Sequence, residues 1–243
     1  MRGLSNLEEK MNQRVDAFLI HGIGKTIEGN YYDNFVDAIR RKLPIDADVN
    51  FHPVNYSEPL DKREGVIWKW MEGMAYQKLR NFGCFFIADI LAYAPPEHPP
   101  KPGDFYYDVN KILSDKFADV EATYPNSKKV IIAHSLGTQI AFSFAWGHKI
   151  EHLFCMGSPI LYFSVRFKDF GMFPVETLKG MTNFWNTNDP IATRIERNPN
   201  LKVCKDIRVR SFNPRYLLPL QAHSMYFTSN DVHQKIADVI KKM

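Results

Sequence analysis

Short apolar runs alternate with amphipathic stretches along most of this chain. The run Val15-Asp16-Ala17-Phe18-Leu19-Ile20 has the length and composition of a buried strand and ends in His21-Gly22-Ile23-Gly24. Phe35, Ala38, Ile39 and Leu43 then recur near helical spacing, which predicts a helix over 31–43 that Pro44 stops. A second strand is expected over 49–56. After residue 103 the alternation resumes. It predicts a helix over 105–123, a strand over 129–134, a helix over 136–148, a strand over 152–156, strands over 182–186 and 206–212, and a closing helix over 231–242. Repeated strand–helix order with short, continuously apolar strands predicts an α/β fold around a mostly parallel sheet with right-handed crossovers.

Residues 57–103 break this order. They suggest two helices, near 65–80 and 84–93, followed by a loop with five prolines between 94 and 103, which excludes helix or central strand. About 45 residues would struggle to bury a core alone. The segment therefore reads as a cap inserted into a single domain that spans 1–243. Ile67, Trp68, Trp70, Met71, Met74, Phe85, Phe86, Ile90 and Leu91 make it rich in large apolar side chains. These either line an acyl pocket or form the core between cap and domain.

The candidate chemistry lies at strand exits. Ala133-His134-Ser135-Leu136-Gly137 stands between a buried strand and a helix, the context of a nucleophile elbow. The turn strains the serine backbone, and small residues two before and two after it, Ala133 and Gly137, avoid clashes. Alanine replaces the commoner glycine at the first of these. A serine nucleophile needs a base, and the base needs an orienting carboxylate. Asp189 follows an apolar strand and precedes Pro190, at the carboxyl edge of the sheet. Asp169, Glu176, Glu196 and Asp206 lack such a position. Only His223 and His233 follow Asp189. His223 is expected in a loop between the last strand and the last helix, whereas His233 falls inside the helix and reads as a surface residue. His134 is expected to point away from Ser135, because side chains alternate along a strand. Acyl transfer also needs two N–H groups aimed at the developing oxyanion. Leu136 supplies one, and Ile23 in the loop after the first strand is the best candidate for the other, with His21 supporting that loop. Gly22, Gly24 and Gly29 lack dinucleotide or P-loop spacing.

Composition narrows the partners. The 31 basic and 27 acidic residues give +4, and the basic residues are scattered rather than gathered on one face, so no nucleic-acid partner is expected. Three cysteines show no metal or disulfide framework, and Cys84 and Cys155 read as core. Residues 1–14 show no apolar signal segment and the longest apolar run, 82–94, is too short to span a bilayer, so the expectation is a cytoplasmic protein.

With His21-Gly22-Ile23-Gly24, Ala133-His134-Ser135-Leu136-Gly137, Asn188-Asp189-Pro190-Ile191-Ala192 and Ala222-His223 in this order, the chain resembles the α/β-hydrolase superfamily in its lipase and serine-esterase branch. The resemblance spans about residues 15–240. It implies Ser135, Asp189 and His223 as a triad, Ile23 and Leu136 as oxyanion donors, no cofactor or metal, and an ester or lipid-like ester substrate. A transient contact between an amphipathic lid and a membrane surface is compatible with it. The same fold also hosts thioesterases, acyltransferases and non-catalytic ligand-binding or scaffold proteins. These remain the alternative readings.

Overall fold

The structure is a computed structural model that describes residues 13–22, 30–56, 93, 101–166, 176–196, 201–210 and 213–243. Six strands form one sheet: β1 (Val15–Ile20), β2 (Val49–Val54), β3 (Lys128–His134), β4 (His152–Met156), β5 (Met181–Trp185) and β6 (Cys204–Arg208). Their order is β2-β1-β3-β4-β5-β6, and every pairing is parallel. Pro53, which lacks an N–H, is tolerated because β2 is an edge strand.

Six helices accompany the sheet among the described residues. They are α1 (Asn30–Arg40), α2 (Phe105–Thr123), α3 (Leu136–Ala145), α4 (Ile160–Arg166), α5 (Pro219–Ser224) and α6 (Asn230–Ile240), with short 3-10 turns over Pro214–Leu217 and Met225–Thr228. The period of two along each strand sends side chains to two separate cores. On one face, Phe18, Ile131 and Leu153 pack with Val109, Leu113 and Phe117 of α2 and Ile140 of α3. On the other, Leu19, Ile132 and Phe154 pack with Phe35 and Ile39 of α1 and Val232 and Ile236 of α6. Each such fully buried large side chain contributes roughly 1.5–3 kcal/mol of hydrophobic stabilisation before the entropy of ordering it is subtracted. Covering both faces explains why the central strands are continuously apolar rather than alternating.

The expected elements form, with shifts at their ends. The sixth strand ends at Arg208, short of the expected 212, and α3 ends at Ala145 rather than at 148. α4 and the 3-10 turns were not expected. The expected cap, 57–103, lies outside the described residues except for Tyr93 and 101–103, as do Ile23 and Cys84. Tyr93 is fully buried, packs edge-on to Phe105 and accepts a hydrogen bond from Asn110 Nδ2 at 3.1 Å. Cys155 and Cys204 are both buried and unpaired by disulfide. Burial pushes both thiols above their ordinary range. Cys204 is thus a further buried cysteine that the flanking sequence did not mark.

Candidate active site

The strand order reverses direction between β1 and β3, since the chain goes from β1 outward to β2 and returns to β3 on the other side. Such a switch point leaves a crevice at the carboxyl ends of the strands. Gly22 leaves β1 and Ser135 leaves β3 on either side of it.

Ser135 has φ 54° and ψ −129°, the only positive φ of a non-glycine residue among those described. That conformation costs of order 1–3 kcal/mol, and the surroundings hold it. Its N–H donates to Met156 O at 2.9 Å, and its own carbonyl accepts from Thr138 N at 3.0 Å and from Thr138 Oγ1 at 2.7 Å. The backbones around it are very close. A Cβ on Gly137 would lie 2.3 Å from His21 O, and one on Gly22 would lie 2.4 Å from Ser135 Cβ. Neither position admits a larger residue without movement. The amide of Leu136 opens α3 and is one of the N–H groups that a helix start leaves without an intrahelical acceptor. It points with the helix dipole toward the strand exit.

The exit of β1, His21 and Gly22, is tied down by Tyr56. Its hydroxyl donates to His21 O at 2.6 Å and reaches Gly22 O at 3.1 Å, and its ring stacks on His21 at 4.4 Å between centroids. His21 Nδ1 donates to Gly22 O at 2.6 Å. His21 thus braces the exit of β1 at Gly22, while Ile23 lies outside the described residues.

Asp189 and His223 come together although 34 positions apart. His223 Nδ1 lies 3.0 Å from both oxygens of the Asp189 carboxylate. Oδ1 also accepts from the amides of Ile191 at 2.9 Å and Ala192 at 3.3 Å, and Oδ2 accepts from the Tyr226 hydroxyl at 2.7 Å. Burial works to raise the Asp189 carboxyl, but hydrogen bonding and charge from His223, with the bonds from Tyr226 and Ile191, outweigh it and hold the group below the usual carboxylate range. Both side chains are buried, at 9% and 0% side-chain exposure. With Nδ1–H committed to the carboxylate, the other ring nitrogen, Nε2, is the acceptor of a neutral imidazole.

Gly157 makes this pairing possible. It has φ 60°, and a Cβ there would lie 2.9 Å from His223 Cε1 and 3.0 Å from Asp189 Oδ2. Because Ser135 N binds Met156 O, the serine and the His223–Asp189 pair adjoin consecutive residues, 156 and 157. The Asp189 loop is clasped from below. Thr193 donates to Ser158 O through its N–H at 2.9 Å and its hydroxyl at 2.8 Å. Asp206 accepts from Asn183 Nδ2 at 2.8 Å and from Ile195 N at 3.0 Å.

Several expectations need correction. His223 lies on the short helix α5 rather than in a loop; Pro219 at its first turn, preorganised for helix, was the overlooked signal. His233 is buried, not on the surface. Its Nε2 donates to Phe227 O at 2.8 Å, and its ring packs edge-on to Phe35, away from Asp189. His134, expected to point away from Ser135, has its ring 4.6 Å from that of His223, and its Nε2 donates to the His223 carbonyl at 2.7 Å. Burial, then the nearby His223, pushes its pKa down to about 3, so it is neutral. Gly157 and Tyr226 were also missed. No spacing in the sequence marks them, because both act across the fold.

Among the described residues no group of three or more His, Cys, Asp or Glu side chains is arranged to hold a metal ion. No helix among them is long and apolar enough to cross a membrane.

No protein-family model matches the sequence, and no curated protein matches it. Solved structures do resemble it. A predicted CIB-like hydrolase from Thermoplasma acidophilum aligns with a TM-score of 0.50 at 10% identity, over 96% of this chain and 88% of that one. A dienelactone hydrolase from Anabaena variabilis gives 0.49 at 12% identity, over 95% and 85%. An alpha-beta serine hydrolase homologue from Coxiella burnetii gives 0.48 at 8% identity, over 96% and 86%. With the six-stranded parallel sheet and its helices on both faces, the likeness to the Thermoplasma structure identifies the fold of this chain as that of the α/β hydrolases.

Proposed function

We propose that this protein is a serine hydrolase that cleaves carboxylic esters through an acyl-enzyme, with Ser135 as nucleophile, His223 as base and Asp189 as its orienting carboxylate. The observation that carries the reading is the strained backbone of Ser135, φ 54° at a strand-to-helix junction, beside a buried histidine–carboxylate pair. Strain of this kind persists only where surrounding structure enforces it. Ordinary helix capping does not require it, and Ser135 makes no side-chain cap bond.

In this reading Ser135 Oγ attacks the ester carbonyl carbon as its proton passes to His223 Nε2. Asp189 holds Nδ1–H, fixes the tautomer and stabilises the imidazolium. The carbonyl oxygen gains negative charge and is met by the amides of Leu136 and Ile23. Collapse expels the alcohol, which takes the proton from His223. Water then repeats the sequence on the acyl-enzyme, and the carboxylic acid leaves. An acyltransferase or thioesterase would use the same groups with another acceptor or leaving group. The predicted hydrolase from Thermoplasma acidophilum among the similar structures is in keeping with the reaction class. The residues of 57–103 are proposed as the cap over the acyl group.

The test is turnover of a short nitrophenyl ester. Ser135→Ala is expected to lower it by roughly three to six orders of magnitude with the fold intact. Asp189→Asn is expected to lower kcat by about four orders. Retention of more than a tenth of the activity by Ser135→Ala overturns the assignment.

A further inference from the structure

We infer that Tyr226 is a positioning residue of this site: its hydroxyl fixes the plane of the Asp189 carboxylate and thereby the basicity and aim of His223. The inference rests on the triad reading above, and it concerns a residue that the mechanism does not otherwise use.

The geometry is specific. Asp189 Oδ1 is held by two amides of its own loop, whereas Oδ2 accepts the Tyr226 hydroxyl at 2.7 Å. His223 approaches both oxygens at 3.0 Å. Without Tyr226, Oδ2 keeps the bond from His223, and the carboxylate loses one of the bonds that resist its rotation. Tyr226 stands three residues after His223, where α5 runs into the 3-10 turn Met225–Thr228. Residues three apart share one face of such a segment. One short stretch of chain therefore delivers both base and phenol to the same carboxylate.

A tyrosine that only filled core would be indifferent to the charge of its acceptor. Here the acceptor is a carboxylate, and the 2.7 Å separation falls within the range of charge-assisted O–H···O⁻ bonds. The phenol is a permanent donor, since burial and the charge of Asp189 push its ionisation well above the ordinary range. His134, from β3, packs against His223 and stays neutral down to about pH 3; His21 lies beyond it in the loop after β1 and senses it electrostatically. Removing the Tyr226 hydroxyl leaves more of the carboxylate charge to His223, which favours the imidazolium. The charged form of the base then persists to higher pH.

Tyr226→Phe keeps the ring and removes the bond. Histidine-labelled wild-type and Tyr226→Phe proteins are titrated by NMR, with the His223 signal assigned by its loss in His223→Asn, and ester turnover is followed over the same pH range. The expected result is a His223 titration and an acid limb of kcat/KM displaced to higher pH by roughly 0.5–1 unit. The plateau kcat is expected to fall about tenfold with KM within about twofold. Coincident titrations and unchanged kcat overturn the inference, whatever happens to melting temperature. If wild type turns over no ester, the reading of Ser135 fails separately, and the two NMR titrations alone decide the role of Tyr226.

Discussion

At the scale of single residues, the site is defined as much by missing side chains as by reactive ones. Gly22, Gly137 and Gly157 each stand where a Cβ would strike Ser135, the end of β1 or the His223–Asp189 pair. Gly157 combines that crowding with φ 60°, a region that L side chains rarely adopt. Gly157→Ala is expected to destabilise the fold by roughly 1–3 kcal/mol and to lower kcat by displacing His223. Urea unfolding and ester turnover check both, and a variant with wild-type stability and rate contradicts the packing described. Ser135, Asp189 and His223, the residues of the proposed triad, were singled out in the sequence because each follows a strand or precedes the final helix in a fixed order. Tyr226, His134 and Gly157 were not, because their partners lie 37, 89 and up to 66 positions away in the chain. His233 misled for a related reason. A polar residue in an amphipathic helix reads as surface until the carbonyl that accepts its proton, Phe227 O, is placed beneath it.

At the scale of elements, apolar runs located the central strands β1, β3 and β4, since burial on both faces leaves little choice of composition. Ends were less legible. β6 was read to 212 from alternating side chains, but its last ladder partner is Trp185, opposite Arg208, so pairing ends where β5 ends. α3 is the element on which the site depends most. It starts directly at Ser135 and crosses close to β1 through Gly137. Gly137→Ala normally favours a helix by about 1 kcal/mol. Here its Cβ would meet main-chain oxygens at 2.3 and 2.6 Å, which cannot retreat as a flexible side chain would. The expected net effect is destabilisation by roughly 1–3 kcal/mol with loss of activity, read by thermal melting and turnover. A melting temperature above wild type would contradict the close approach of α3 and β1.

At the scale of the whole molecule, strand exits at one edge of the sheet gather residues from 22 to 226 around the switch point between β1 and β3. Two histidines, His134 at that edge and the half-buried His152 at the opposite, amino end of β4, are held below their ordinary range. His134 is pushed down to about 3, chiefly by burial, and His152 to about 4, again chiefly by burial, from an ordinary value of 6.5. Their folded values lie below their unfolded ones, so the unfolded chain binds protons first. The stability linked to their neutral state is complete above about pH 6.5 and is lost as pH falls toward 4 and then 3. Each contributes up to about 1.4 kcal/mol per pH unit over that window. Urea unfolding between pH 7 and 4 is expected to show this fall, and His134→Gln, whose amide can still donate to the His223 carbonyl, is expected to flatten it. Equal slopes in the two proteins would contradict the neutral, buried state of His134. The central claim is the nucleophile, and covalent labelling tests it without knowledge of the natural substrate. Wild-type protein treated with a fluorophosphonate is expected to gain one adduct by intact mass, mapped by peptide mass spectrometry to Ser135, and Ser135→Ala is expected to gain none. An unlabelled wild type, or an adduct mapped to another residue, would contradict the account.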